Sequence, residues 1–265
     1  MKKQSYNDLI DLVKNYGQET KPRDKPTIEI VNLSVEMSTG ILIKRRGMNV
    51  KLAFVEGLML IGGFFDLDLI KAVAPNANHK LFERQSDYGE RVRTQVPLIL
   101  DELMNDNHSR RAVLQFNGTL HTGTDNIACT LTSQYLMRQF LFSSTYTMRS
   151  WDLALGFPND IVMFSMLTQA IHRVLGGNEF SPSTLRINAM SAHLYHETMN
   201  RAIVDYAEGE PTTYMFELPD DRWPRTWPEI QAKAKALAYD HEAWGGYWPK
   251  GNILMWATSP DCLIF

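Results

Sequence analysis

The sequence predicts an α+β fold, and three observations carry that prediction. Two strand-like segments enriched in Thr, Tyr and Phe, 127–138 and 139–148, follow one another with no helix between them. The remaining helical and extended segments do not alternate in the regular way a doubly wound parallel sheet requires. No internal repeat and no low-complexity linker interrupts the chain, and its 265 residues suit one large domain, or at most two small ones. We therefore read 1–265 as a single domain.

The elements follow in order. Ser5 to Tyr16 is an amphipathic helix, with Ser5 as N-cap and Gly17 as its stop. Thr27 to Met37 is rich in β-branched residues and partly alternating, so a strand. Asn49 to Ile61 is apolar on one helical face and ends at Gly62-Gly63. Asp66 to Val73 is a short helix before Pro75, and Arg91 to Met104 has helical spacing interrupted by Pro97. Arg111 to Phe116 is a strand, and Asp160 to Leu175 is an amphipathic helix closed by Gly176-Gly177. Leu185 to Met190 is a strand, Tyr195 to Ala207 a helix, and Trp227 to Tyr239 a late helix with Pro228 in its first turn. The apolar tail, Ile253 to Phe265, is expected to pack on the domain or to close over a site.

Charge and composition narrow the function. A net charge of -3 argues against nucleic acid as the main ligand, while leaving room for a local basic pocket. Two cysteines are too few for a disulfide framework and point to a reducing compartment. The first five residues lead into no apolar run, so no signal peptide is expected. The longest apolar stretch, Leu52 to Leu69, is broken by Glu56, Asp66 and Asp68 and is too charged to span a membrane. A cytoplasmic enzyme or binding protein is the expectation, with no metal centre.

The chemistry is concentrated in Met148-Arg149-Ser150-Trp151-Asp152-Leu153-Ala154-Leu155-Gly156-Phe157-Pro158-Asn159-Asp160. A guanidinium fork beside a hydroxyl suits a phosphate, because it offers several charge-assisted hydrogen bonds. Cys129 is either a buried structural thiol or a nucleophile that needs nearby cations. Glu56 breaks an apolar helix face and is either at a wet edge or a general acid/base with a raised pKa. Ser109-Arg110-Arg111 is either a solvated charge pair or an anion site, and His193 and Tyr195 point the same way along an extended segment. Asp160 either caps the helix that follows it or turns its carboxyl to a ligand.

The segment resembles the R-S-x-D-x-x-L-G-x-P-x-N motif of thymidylate synthases, and the resemblance runs from about Thr27 to Ala207. It implies a large mixed twisted β-sheet flanked by helices, with sheets packed back to back in a homodimer that shares its active sites. It implies Cys129 as nucleophile, Gln134 five residues on as a nucleotide contact, and Glu56 as the residue that orders water. Arg149 and Ser150, with Arg110 and Arg111 of the other subunit, would hold the phosphate, and Arg23 resembles a further phosphate arginine. His193 and Tyr195 resemble the pair that holds the sugar hydroxyl. Asp152, Gly156, Tyr88 and Phe82 fall in the folate region, Phe82 standing near a place where the family often has Trp.

Two departures refine the resemblance. The family's last Asn is Asp160 here, and Thr130 follows Cys129 where a His is usual. Both are similar to the deoxycytidylate hydroxymethylase branch. An Asn amide suits the uracil edge, whereas a carboxyl can accept from the cytosine 4-amino group and, when protonated, donate to N3. The implied reaction is dCMP, 5,10-methylenetetrahydrofolate and water to 5-hydroxymethyl-dCMP and tetrahydrofolate. CMP hydroxymethylation, a pyrimidine-nucleotide C5 methylase using hydride transfer, and a catalytically silent nucleotide-binding homologue are the alternatives.

Overall fold

The computed structural model describes residues 3–44, 48–77, 79–82, 88–117, 127–177, 183–199, 212–219, 221–244, 253–258 and 262–264. The architecture is α+β, as the sequence predicts: a mixed eight-stranded sheet, a three-stranded sheet, and helices packed against them. The strands of the larger sheet are β1 (Gln18–Thr20), β2 (Thr27–Ser38), β4 (Val113–Gln115), β5 (Thr130–Arg138), β6 (Leu141–Met148), β7 (Trp151–Asp152), β8 (Ser183–Tyr195) and β11 (Leu263–Ile264). The order is β1-β2-β8-β6-β5-β4, with β11 on β2 and β7 on β8. The β6–β8 and β7–β8 pairs are parallel and the others antiparallel, which makes the sheet mixed. The smaller sheet joins β3 (Ile41–Lys44), β9 (Thr212–Glu217) and β10 (Leu254–Ala257).

Among the described residues, besides a short helical segment at 196–199, six helices pack around the sheets: α1 (Tyr6–Tyr16), α2 (Val50–Gly62), α3 (Leu67–Val73), α4 (Tyr88–Asn105), α5 (Phe157–Val174) and α6 (Trp227–Tyr239). Helix α1 opens with a capping box, in which Ser5 Oγ accepts from the Asp8 amide and Asp8 accepts from the Ser5 amide. Its inner face buries Tyr6, Leu9, Ile10 and Val13. Helix α2 is capped by Asn49 and is apolar nearly all round, because it packs on α4, α5 and α6 at once. It ends at Gly63, whose φ of 70° is a left-handed C-terminal turn that a side chain would strain.

Registers assign the sheet's two faces. The row Ser133, Tyr146, Ile187, Val35 is buried against the helices. The neighbouring row, Val113, Gln134, Thr145, Arg186 and Glu36, lies on the opposite face and is mostly polar. There Arg186 Nε donates to Glu36 at 3.0 Å and Ser34 Oγ to Asn188 Oδ1 at 2.8 Å.

Several expected boundaries shift for physical reasons. Helix α4 runs unbroken through Pro97, its apolar stripe of Val92, Val96, Ile99, Leu100 and Leu103 outweighing the lost backbone bond. Helix α5 begins at Phe157 rather than Asp160, with Pro158 in the first turn, where its missing N–H costs nothing. Strand β8 is longer than expected and continues through Tyr195, because β2 pairs with it from Ser38↔Thr184 to Thr27↔Tyr195. The helix expected from Tyr195 therefore starts at residue 196 and is followed to 199, its remainder lying outside the described residues. The expected strand at 127–138 begins at Thr130, and that at 111–116 is confined to Val113–Gln115. The tail packs: β10 pairs with β9 and β11 with β2. Strands β1, β3 and β9 had no expectation: β1 is a three-residue edge segment paired to the start of β2, and β3 and β9 take their places from each other, far apart in the chain, rather than from a local pattern. No helix among the described residues is long and apolar enough to cross a membrane.

Candidate active site

A cleft of about 310 Å³ opens between the N-terminus of α5, helix α2, the start of α4 and the turn before β5. Eight of the residues expected at a site line it: Cys129, Glu56, Asp160 and Ser150 on its reactive side, and Asp152, Gly156, Tyr88 and Phe82 elsewhere in its wall. The remaining wall is largely apolar, with Met59, Phe64, Ile70 and Met163 among it. Such a mixture, an apolar slot with few converging polar groups, suits a planar organic ligand.

Cys129 sits in a bend one residue before β5, not inside the strand as its neighbours suggest. A register shift between Thr130 and Thr132 breaks the ladder there, and Tyr88 Oη accepts the Thr130 N–H at 3.2 Å. Arg149 braces the same turn. Its Nε donates to the Ala128 carbonyl at 3.0 Å, its Nη2 to Ile127 O at 2.6 Å, and Nη2 lies 3.8 Å from Cys129 Sγ. Burial pushes the thiol up, Arg149 and Arg23 pull it down, and Asp160 and Asp152 push it up; the net direction is upward. The resting group is thus a thiol poised beside a cation.

The two carboxyls of the cleft floor are protonated more readily than usual. Glu56 is raised from 4.5 to about 8, by desolvation first and then by the neighbouring Asp160, against Asn159, which donates to its Oε2 at 3.2 Å. Asp160 is raised from 3.8 to about 7, again by desolvation and then by Asp152, against the Trp151 indole N–H, which donates to Oδ2 at 3.1 Å. Both are partly exposed, and both line the cleft. Because they interact, they titrate as a pair. Asp160 does not cap α5: the N-cap is Gly156, with no side-chain bond, and Asp160 stands in the first turn with its carboxyl turned to Trp151. Asn159 also does not cap; it reaches Glu56 instead.

Asp152 turns its Oδ1 to the amides of Ala154 and Leu155, which fixes the loop leading into α5. A side chain at Gly156 would come within 3.2 Å of both Asp152 O and Asp160 Oδ2, so the small residue keeps the carboxyls' approach open. His193 is buried, its ring set edge-on to Tyr195 at 4.9 Å, and neither lines the cleft. Four other expected residues lie away from it, among them the exposed Arg110. Gln134 is on the sheet's polar face and donates to Arg110 O at 2.8 Å. Arg111 is tied to Glu102, which also takes the Ser109 hydroxyl. Arg23 sits in a left-handed turn, φ 52°, and reaches Cys129 only through its field.

The residues that sequence reasoning did not assign are Trp151, Asn159, Met59, Phe64 and Ile70. The first two stand inside the motif already singled out, but the acids they contact, Asp160 for Trp151 and Glu56 for Asn159, are brought to them by the fold. The others look like ordinary core until the fold turns them to the cleft. No cluster of three or more His, Cys, Asp or Glu among the described residues is placed to hold a metal.

Residues 4–214 match the family model described as thymidylate synthase. A putative thymidylate synthase of Methanococcoides burtonii is 26% identical over 115 residues, which is 41% of this chain and 52% of that protein. The chain thus spans about half the length of that relative.

Proposed function

The chain belongs to the thymidylate synthase family, and from that premise we propose that it transfers a one-carbon unit from 5,10-methylenetetrahydrofolate to C5 of a cytosine nucleotide, giving 5-hydroxymethyl-dCMP. The observation that carries the cytosine assignment is Asp160, a carboxyl at the cleft floor with no capping duty and a pKa raised to about 7. A carboxylic acid can donate to N3 and accept from the 4-amino group, whereas a carboxylate would face the O4 of uracil with a repelling lone pair.

The folate would supply a one-carbon unit at the oxidation level of formaldehyde. The cleft fits a pterin: its apolar wall offers Phe64, Phe82, Ile70 and Met59 to the ring, and Asp152 offers a carboxyl. The chain's own residues do the rest. Cys129 Sγ, as thiolate beside Arg149, adds to C6 of the base. Asp160 gives N3 a proton as negative charge enters the ring, which stabilises the adduct. Glu56 holds its proton near pH 7; once that proton passes to the amine that leaves as the one-carbon unit is transferred and C5 has lost its own proton, the Glu56 carboxylate orients the water and takes its proton, and the addition of that water leaves a hydroxymethyl group as Cys129 departs from C6. Arg149 and Ser150 hold the phosphate together with Arg110 and Arg111 of a second copy, and His193 and Tyr195 take the sugar. In this reading the enzyme is a cytoplasmic homodimer with shared sites.

The test is the mass of the nucleotide after incubation with methylenetetrahydrofolate and, separately, dCMP, CMP and dUMP. Hydroxymethylation adds about 30 Da to a cytosine nucleotide, as the water-capture mechanism requires. A gain of CH2 in place of CH2O would make the enzyme a methylase, and no product from any of the three would reject the proposal.

A further inference from the structure

The Asp160 carboxyl does not stand alone at the cleft floor. Trp151, at the start of β7, is buried at 1% exposure, packed on Phe157 with ring centroids 4.7 Å apart, and its indole N–H is aimed at one oxygen, Oδ2. The backbone fixes both partners. Trp151 pairs in parallel with Ala192 of β8, and the Asp160 amide donates to Gly156 O at 2.9 Å. Oδ1 carries no hydrogen bond among the described residues.

An indole N–H is only a donor. Whatever atom stands at the Oδ2 position must therefore be an acceptor, and a proton on Asp160 is confined to Oδ1. We infer that Trp151 is a positioning residue that makes Asp160 a one-way reader of the base edge: Oδ2 accepts from the 4-amino group of cytosine through its second lone pair while Oδ1–H faces N3. The inference rests on the cytosine reading proposed above and adds a second determinant of base choice to it.

It has a consequence that Asp160 alone does not have. In D160N the amide can turn either way, and the uracil edge needs the NH2 group opposite O4, at the position Trp151 claims. Two donors would then face each other. The amide is instead held with its oxygen toward Trp151 and its NH2 toward N3, an arrangement that still suits cytosine. Asn at position 160 is thus insufficient to open the site to uracil while the indole N–H remains.

The experiment compares wild type, W151F, D160N and the double variant, with dCMP and dUMP competing in binding and in turnover. Circular dichroism and thermal melting confirm that each is folded. W151F keeps an aromatic ring on Phe157 but has no donor. D160N is expected to keep a preference for dCMP, and the double variant to move toward dUMP by at least about tenfold more than D160N does, a non-additivity diagnostic of direct coupling. In W151F the Asp160 titration, followed by carboxyl NMR without nucleotide, should shift to higher pH, because the bond that favours the charged form is gone. A D160N switch to dUMP as large as that of the double variant, or an unmoved Asp160 titration in W151F, overturns the inference. Wild-type preference for dUMP together with a shifted titration would instead reject the cytosine reading and leave the pinned oxygen standing.

Discussion

The cleft floor and the polar face of the sheet hold the two halves of the residues expected at an active site, and they differ in nearly every physical respect. At the floor, Glu56 and Asp160 are desolvated, hold protons near neutral pH, and have named partners in Asn159 and Trp151. On the sheet side, Arg111 is 78% exposed and tied to Glu102, and Gln134 holds the Arg110 carbonyl. One set works in a low effective dielectric, where a single proton changes the chemistry. The other lies toward solvent, tied into local contacts. A single chain thus brings together in one cleft the groups proposed to act on a base, while part of its expected phosphate site points elsewhere.

The contrast is broken most severely at the nucleophile. Cys129→Ser should lower turnover by roughly 10^5-fold, as loss of a covalent nucleophile does, with nucleotide affinity retained. Turnover within tenfold of wild type in steady-state assays would remove Cys129 from the mechanism. Glu56→Gln should cost about 10^2- to 10^4-fold in kcat, the range of general acid–base catalysis, with little change in nucleotide binding. A variant with altered affinity and unchanged kcat would make Glu56 a binding group only.

The sheet side is tested by mixing subunits. One population carries Cys129→Ser and the other Arg110→Ala with Arg111→Ala, each inactive alone. Random pairing should restore about a quarter of wild-type activity, because half the dimers are mixed and one of their two sites is intact. Absence of restoration, with mixed dimers shown by native mass spectrometry, would confine the phosphate site to one chain.

Proton linkage gives a smaller effect. Glu56 has its pKa raised from 4.5 to about 8 on folding, so the folded state binds the extra proton between those values. Stability conferred on the wild type is therefore lost as pH rises from about 4.5 to 8. Glu56→Gln should melt like wild type near pH 4.5 and be more stable by about 2 kcal/mol at pH 9, the charge burial being removed. Equal melting temperatures at both pH values would show that the carboxyl is solvated. The smallest effect concerns α6, beyond the family match: Tyr239 stacks on Phe64 at 5.5 Å and donates to Asp66, the N-cap of α3. Tyr239→Ala should raise the folate KM by about threefold, a fraction of one aromatic contact, and leave kcat unchanged.

Much of this was legible in the sequence, and what was not has a common cause. Helix α6, the cap Ser5 and the helix starts at Asn49 and Asp66 rest on local patterns that a reader can see. Cys129, Glu56 and Asp160 stand out as polar residues in apolar or motif settings, and all three line one cleft. The bend at Cys129, the Trp151–Asp160 bond and strand β3 depend on partners far along the chain or on side-chain direction, which periodicity does not encode. Pro97 is the reverse case, a strong local signal for a break that a buried stripe overrides.

One contact joins the two ends of the described chain: Gln4 and Leu263 form an antiparallel bridge, with amide-to-carbonyl distances of 2.8 and 3.0 Å. Its geometry governs how the molecule responds to force. Handles at residues 3 and 264 would emerge side by side, so tension between them opens the bridge like a zipper, one bond at a time, and β11 then peels from β2. The first mechanical event in an optical trap should be small and early, and the cleft, anchored deep in the sheet, should still be folded after it.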